Sequence, residues 1–349
     1  MKRFSSLFPL VALLLFAFGN SSFSQEKKDY SVACVAFYNI ENLFDTIDTP
    51  DVNDFEFTPE GPNKWNSKKY WDKIANISKV IAQIGTEHTP HGPAIIGLSE
   101  IENRSVLEDL VEAESLKSRN YQIVHFDGPD RRGVDVALFY QPSYFTVTNS
   151  KSYRLTIPDR DNFYTRDQLL VSGEFKGEPM HIIVNHWPSR SGGESKSRPL
   201  RNAAAALSRH IIDSIQSVDP NAKIIHMGDL NDNPDNESVY EILRSKPNSS
   251  KLGEGDLVNS FYDMYKKGIG TLAYRDTWSL FDIISVSQPL VEKDFSTYRY
   301  YRSFVFNKPF LQQQSGRFKG YPFRMLAGGQ YLGGYSDHFP TYILIVKEK

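Results

Sequence analysis

Cysteine is almost missing from this sequence: Cys34 is the only one in 349 residues. That excludes an intrachain disulfide and any metal site built on clustered thiolates. A charge excess of one sign is missing too. Forty Lys and Arg stand against 42 Asp and Glu, a formal net charge of −2. No global field steers the chain to a polyanion, so affinity for one must rest on local patches. Repeats and low-complexity linkers are absent, and nothing in the composition marks a boundary between domains. The longest early apolar run, Phe8 to Phe18, is too short to span a bilayer. From Ser296 to Ser336 there is not one acidic residue.

What is present begins with a leader pattern. Lys2 and Arg3 form a positive start, the apolar run follows, and Ser22-Phe23-Ser24 offers small residues where cleavage is specified. This reads as a secretory signal peptide over residues 1–24, with Gln25 as the mature start. The alternative is an N-terminal membrane anchor. A lipoprotein fits poorly, because no Cys follows the run closely. Loss of the leader removes Lys2 and Arg3 and no acid, so the formal charge of −2 becomes −4. The expected location is periplasmic or secreted.

Apolar runs of strand length alternate with helical patterns. Ser31 to Ile40, Ala94 to Ile101, Val134 to Tyr140, His181 to Trp187, Lys223 to Leu230, Leu280 to Ser287 and Thr341 to Val346 read as strands. Several are apolar throughout, as buried strands are. Shorter strands are expected at 121–126 and 169–175. Trp71, Ile74, Ile77, Ile81 and Ile84 fall at helical spacing. So do Leu200, Ala204, Leu207, Ile211 and Ile215, after Pro199 near a helix start. With 40% hydrophobic and 13% aromatic residues, the chain can bury a sizeable core. The pattern predicts one α/β domain over residues 25–349, its sheets covered by helices.

The acid-free stretch carries Arg299, Arg302, Lys308, Arg317, Lys319 and Arg324 among many Tyr and Phe. Its Gly and Gln content argues against a regular helix. One reading is a hairpin or loop whose rings pack on the domain and whose cations are solvated. The other is a substrate-facing wall, with cations for phosphates and rings for bases or sugars.

Five segments carry chemistry. In Gly228-Asp229-Leu230-Asn231, the strand places Asp229 and Asn231 on one face. A carboxylate beside an amide suits a site that orients a water and holds a phosphate oxygen, although the same residues also make good turns. Asp337-His338, before Phe339-Pro340, offers a metal ligand, a general acid or base, or a turn pair. Asp282 lies between Leu280-Phe281 and Ile283-Ile284. An acid in so apolar a strand needs a partner, and an imidazole would serve. Glu100 and Asn39 each end an apolar run, where open α/β sheets place their sites. Oxygen ligands without clustered His or Cys point to Mg²⁺ or Mn²⁺ rather than zinc.

Taken in order, these segments resemble the endonuclease/exonuclease/phosphatase superfamily, in its exported bacterial branch. Asn39 matches the asparagine of the first strand and Glu100 the metal-binding glutamate. His186, in Asn185-His186-Trp187-Pro188, matches a phosphate-contacting histidine. Asp229 and Asn231 match the Gly-Asp-x-Asn pair, Asp282 the aspartate that orients the catalytic histidine, and Asp337-His338 the terminal pair. Arg131-Arg132-Gly133-Val134-Asp135 looks like the segment before the central strand. The resemblance implies a four-layer α/β sandwich: two mixed β-sheets face to face, with helices outside. It implies a metal-dependent phosphodiester hydrolase, most readily an endonuclease. Catalysis would fall to His186, Asp229, Asn231, Asp282 and His338, and Mg²⁺ (or Mn²⁺) binding to Asn39, Glu100 and Asp337. Arg131, Arg132, Arg299 and Arg302 are the expected substrate contacts. Partners are nucleic acid or another phosphodiester, with no stable protein partner and a monomeric state expected.

Ile283 stands where many members carry His, Gln or Tyr, and the Trp-Cys-Asp-Arg sequence of the inositol phosphatases is absent. That counts against an inositol substrate. A phosphatase or phospholipase of the same fold is the first alternative. A non-catalytic binding module is the second, and the retained catalytic residue types argue against it.

Overall fold

A computed structural model describes residues 28–157 and 160–349; the expected leader, residues 1–24, lies outside the described residues. The first half runs β1 (Tyr30–Leu43), α1 (Ser67–Ile81), β2 (Pro93–Ile101), α2 (Arg104–Glu112), β3 (Gln122–His125), β4 (Asp135–Tyr140), β5 (Phe145–Tyr153), β6 (Gln168–Phe175) and β7 (Glu178–His186). Then come α3 (Glu194–Val218), β8 (Ile224–Asp229), β9 (Ser245–Lys246), β10 (Leu257–Asn259), α4 (Tyr262–Lys266), β11 (Leu272–Tyr274), β12 (Thr277–Ser279) and β13 (Asp282–Ser287). The chain ends through β14 (Arg299–Val305), β15 (Leu326–Ala327), β16 (Gln330–Tyr331) and β17 (Thr341–Glu348).

Two large sheets carry the fold. One has the order β14-β17-β1-β2-β4-β3, the other β5-β6-β7-β8-β13-β10-β9. Both are mixed: β1 pairs parallel with β2 and antiparallel with β17, and β7 pairs parallel with β8, which is antiparallel to β13. The last strand in sequence, β17, therefore sits inside its sheet, between β14 and β1.

Alternation along β1 explains the layering. Val35 and Phe37 point to the interface between the sheets, where they join Val184, Met227, Ile284 and Ile343. Cys34, Ala36 and Tyr38 point the other way, against Ile74, Ile77 and Ile81 of α1 and Leu107 and Leu110 of α2. Each such buried aliphatic contributes roughly 1.5–3 kcal/mol. Gly97 of β2 marks how close the sheets come: a Cβ there would stand 2.7 Å from the Met227 sulfur.

The helices close the outer layers. Asn66 caps α1 by accepting the Lys69 N–H, and Asn103 caps α2 through Val106. In α3, Ala204, Ala205, Ser208, Ile211 and Ile212 face the second sheet. That helix begins at Glu194, five residues before Pro199, and an Arg198–Glu194 ion pair braces its first turn. The start of the acid-free stretch is an edge strand, β14. Its run Arg299-Tyr-Tyr-Arg-Ser-Phe-Val is rich in β-favouring rings and pairs along β17. The rest is turns, a single 3-10 turn at Pro309–Leu311 and the small β15–β16 hairpin.

Candidate active site

Strand register assembles the site. In the second sheet His186 lies beside Asp229, and Asp229 lies directly opposite Asp282. Three adjacent strand ends, β7, β8 and β13, thus bring a histidine and two acids to one level. In the first sheet Asn39 is in register with Ser99, next to Glu100. Pairing shifts between Ser99 and Ile101, and Glu100 takes a left-handed φ of 64°. This bulge re-aims the glutamate. A second irregularity after Asn39 puts Glu41 and Asn42 at φ 51° and 53°.

The side chains converge on one oxygen. Asp229 Oδ2 accepts from Asn39 Nδ2 at 3.0 Å. His186 Nε2 stands 3.6 Å from it and His338 Nε2 4.0 Å from it. The other Asp229 oxygen accepts the Asn231 N–H at 2.9 Å. Glu100 accepts from Asn39 Nδ2 at 3.3 Å and from the Asn42 N–H at 2.9 Å, and lies 3.8 Å from His186. Asp282, wholly buried, meets His338 Nδ1 at 2.7 Å. Asn231 donates its amide to the Trp187 carbonyl.

The two histidines are held in opposite states. Burial and the Arg166 and Arg132 guanidiniums push His186 well below the ordinary imidazole value. Burial also acts to lower His338, but the Asp282 and Asp229 carboxylates outweigh it and hold the group well above that value. Burial raises Asp229 above the carboxylate range, against the opposing pull of His338. At neutral pH the cluster holds a neutral His186 and a charged His338.

A second network flanks the first. Arg324 bridges Glu41 and Asp337, at 3.1 Å to each. Glu41 also accepts the Met325 N–H at 2.7 Å. Lys73 is fully buried and donates to the Tyr335 carbonyl at 2.6 Å, while the Ser336 hydroxyl donates to the Asn39 carbonyl. A Cβ on Gly334 would stand 2.2 Å from the Phe323 carbonyl oxygen, so only glycine lets the chain fold back here. Sequence reasoning missed Glu41 and Lys73 as members of the site, and named Arg324 only among the cations of the acid-free stretch. An acid two residues beyond Asn39 in an apolar strand was the available signal for Glu41. Arg166 was also missed. It binds the His186 and Trp187 carbonyls and pairs with Asp130.

Two of the expected substrate contacts are misplaced. Arg299 is buried, paired with Glu292 and bonded to the Asp294 carbonyl. It stands opposite Val346, at the far end of β17 from His338. Arg302 is opposite Leu344 with its guanidinium over Phe304, also away from the cluster. Arg131 is tied to the Asn162 carbonyl and the Tyr164 ring. Arg132 alone of the four lies close enough to depress His186. The cation in the position expected of Arg299 and Arg302 is Arg324.

The donor set fits a hard divalent cation. Glu100 and Asp337 present carboxylates, and Lys73 and Arg324 feel the charge of both. Asn39 departs from its expected ligand role: its oxygen accepts the Glu41 N–H and its nitrogen faces the acids, so here it braces them. His125, Asp127 and Asp135 form another group, with ligand atoms within 4.8 Å of one another. Its bonds join His125 to Asp135 and Asp135 to the Gly128 N–H, which fastens the loop before β4.

Residues 34–347 match the model of the Endonuclease/Exonuclease/phosphatase family. The chain belongs to that family. Its name covers nucleases and phosphatases, hydrolases of phosphoester bonds. No curated protein matches the sequence. Among solved structures, a humanized D. rerio TDP2 is similar at 14% identity and TM-score 0.55, over 90% of this chain and 98% of that one. A family protein from Bacteroides thetaiotaomicron is similar at 18% and 0.55, over 92% and 97%. The mannosyl-6-phosphatase Bt3783 of the same organism is similar at 17% and 0.53, over 90% and 99%. At these identities the likeness speaks to the fold: two mixed sheets packed face to face with helices outside.

Proposed function

We propose that this family member is a metal-dependent phosphodiester hydrolase acting on nucleic acid by in-line attack of water on phosphorus. The observation that carries the reading is the convergence of Asn39, His186 and His338 on Asp229 Oδ2, with His338 locked by Asp282. Asp229 is placed to orient the attacking water and take its proton, and burial gives it the basicity to do so. Charged His338 donates to a phosphoryl oxygen through Nε2, with its direction set by Asp282 at Nδ1. Neutral His186 and Asn231 face the same space as further donors. Glu100 and Asp337 would hold Mg²⁺ or Mn²⁺, which when bound supplies charge stabilisation at the phosphoryl oxygens. Arg132 and Arg324 complete a cationic rim for the phosphate.

The same reading includes export, with residues 1–24 removed, and a monomer of one domain over 25–349. One of the similar solved structures is D. rerio TDP2 complexed with single strand DNA product, at 14% identity and TM-score 0.54. A phosphomonoesterase is the second reading, favoured by the likeness to a mannosyl-6-phosphatase. The test is cleavage of plasmid DNA, RNA, a small chromogenic diester and mannose 6-phosphate by protein lacking residues 1–24. EDTA should abolish turnover and Mg²⁺ or Mn²⁺ restore it. Activity surviving exhaustive chelation overturns the metal mechanism. Phosphate release from the monoester with no diester cleaved overturns the diesterase.

A further inference from the structure

Beside the cluster lies a cavity of about 520 Å³, within the size range of small-molecule sites. Two segments build it: the β11–β12 hairpin, just before Asp282, and the acid-free stretch just before Asp337. Arg275, Arg317 and Arg324 line it together with Tyr274, Phe318 and Tyr321. Arg324 is shared, since it also binds Asp337. The cavity thus opens beside the position where the phosphate is expected.

Its wall is coupled to the site through rings. Phe318 packs on Tyr321 at 5.5 Å, Tyr321 on Trp278 at 5.7 Å, and Trp278 stacks on Phe339 at 6.1 Å. Phe339 follows His338 directly, and its N–H binds the Thr271 carbonyl at the base of the hairpin. Two of the lining rings are left open: Tyr274 is 69% and Phe318 55% exposed. Arg275 lies over Tyr274 at 5.2 Å and Arg317 over Phe318 at 5.8 Å. Open rings with guanidiniums alongside are a stacking platform for a flat π-system next to an anion.

We propose that this cavity binds the base of the nucleotide attached to the scissile phosphate, one nucleotide at a time. The inference rests on the phosphodiesterase reading and names the part of the substrate that the reading leaves open. A sugar or inositol ring fits the lining less well, because several hydroxyls need several acceptors. The acceptors here are few. Asp276, the one acid in the wall, already holds the Tyr321 hydroxyl at 2.6 Å, and Gln313 is the only amide. Three arginines against one acid also favour a group flanked by phosphate.

The test compares thymidine 5′-(4-nitrophenyl phosphate) with methyl 4-nitrophenyl phosphate, both with Mg²⁺, and measures binding of adenosine 5′-monophosphate and ribose 5-phosphate by calorimetry. The wild type should prefer the thymidine ester and bind the adenosine compound more tightly than ribose 5-phosphate. Phe318→Ala with Arg317→Ala should cut the preference and the adenosine affinity at least tenfold, the scale of losing one stacked base. Both residues are exposed, so the fold should survive; Arg302→Ala, outside the cavity, is the control and should change neither. Equal binding of the two phosphates, or an unchanged preference in the double variant, overturns the proposal. Faster turnover of mannose 6-phosphate than of the thymidine ester overturns it in favour of a polyol. If no phosphoester is cleaved, the hydrolase reading has failed, and the calorimetry still decides what the cavity binds.

Discussion

Burial and neighbouring charges hold Asp229, His186 and His338 away from their ordinary values. Glu100→Ala, Asp229→Ala and His338→Ala should each lower turnover by at least roughly two orders of magnitude. A near wild-type rate in folded Asp229→Ala protein would remove the proposed base. Asp282→Asn carries a more specific expectation. Asp282 sits 2.7 Å from His338 and holds it charged. The wild-type rate should rise as pH climbs through the raised value of Asp229, which must lose its proton to act. It should fall again when His338 deprotonates, above the ordinary imidazole range. Without the Asp282 charge, His338 deprotonates earlier, so the alkaline limb of the kcat profile should move to lower pH. An unmoved limb with a lowered rate would mean that Asp282 only supports packing.

Among the elements, those with an internal pattern were legible and those set by neighbours were not. β1, β2, β7, β8, β13 and β17 were visible because apolar runs of that length need burial on both faces. The strand ends where Asn39, Glu100, Asp229 and Asp282 sit followed from them. The polar run of β5 was not visible: it is a strand because β6 pairs with it, not because its own residues demand one. Nor were the bulges that turn Glu41 and Glu100, since a left-handed glutamate is dictated by register rather than by residue type. The error over Arg299 has the same origin. A cation beside rings reads as a substrate contact, but the edge strand carried it to the far end of the sheet and paired it with Glu292. Arg299→Ala should therefore lower stability and leave KM unchanged. Because Glu292 is 57% exposed, the loss should be modest, about 1 kcal/mol by chemical denaturation. A raised KM with unchanged stability would restore the substrate role.

The whole molecule carries a pH liability in its core. His226 lies in β8, fully buried, and its Nε2 meets Asn185 Nδ2 at 3.0 Å and Ser208 Oγ at 3.1 Å. Burial, with Arg209 nearby, drives its pKa to about 3. The unfolded chain takes up this proton near the ordinary value of 6.5, and the folded chain refuses it. Stability from this group is therefore present at pH 7 and lost as pH falls below 6.5. At pH 5 the loss is about 2 kcal/mol, at 1.36 kcal/mol per unit. His226→Asn protein should lose that much less than wild type between pH 7 and pH 5 in urea denaturation. Equal losses in the two proteins would place the acid sensitivity elsewhere.

The placement of β17 inside its sheet has a consequence in time. Asp337 and His338 follow every other residue of the cluster in the chain, and the strand after them slots between β14 and β1. A chain growing from its N-terminus cannot close the first sheet until that strand arrives. Nor can it bring His338 to Asp282. Synthesis thus holds the cluster dismantled until β17 is made, and a message cut short before that strand yields a polypeptide with an open sheet edge and an unassembled cluster.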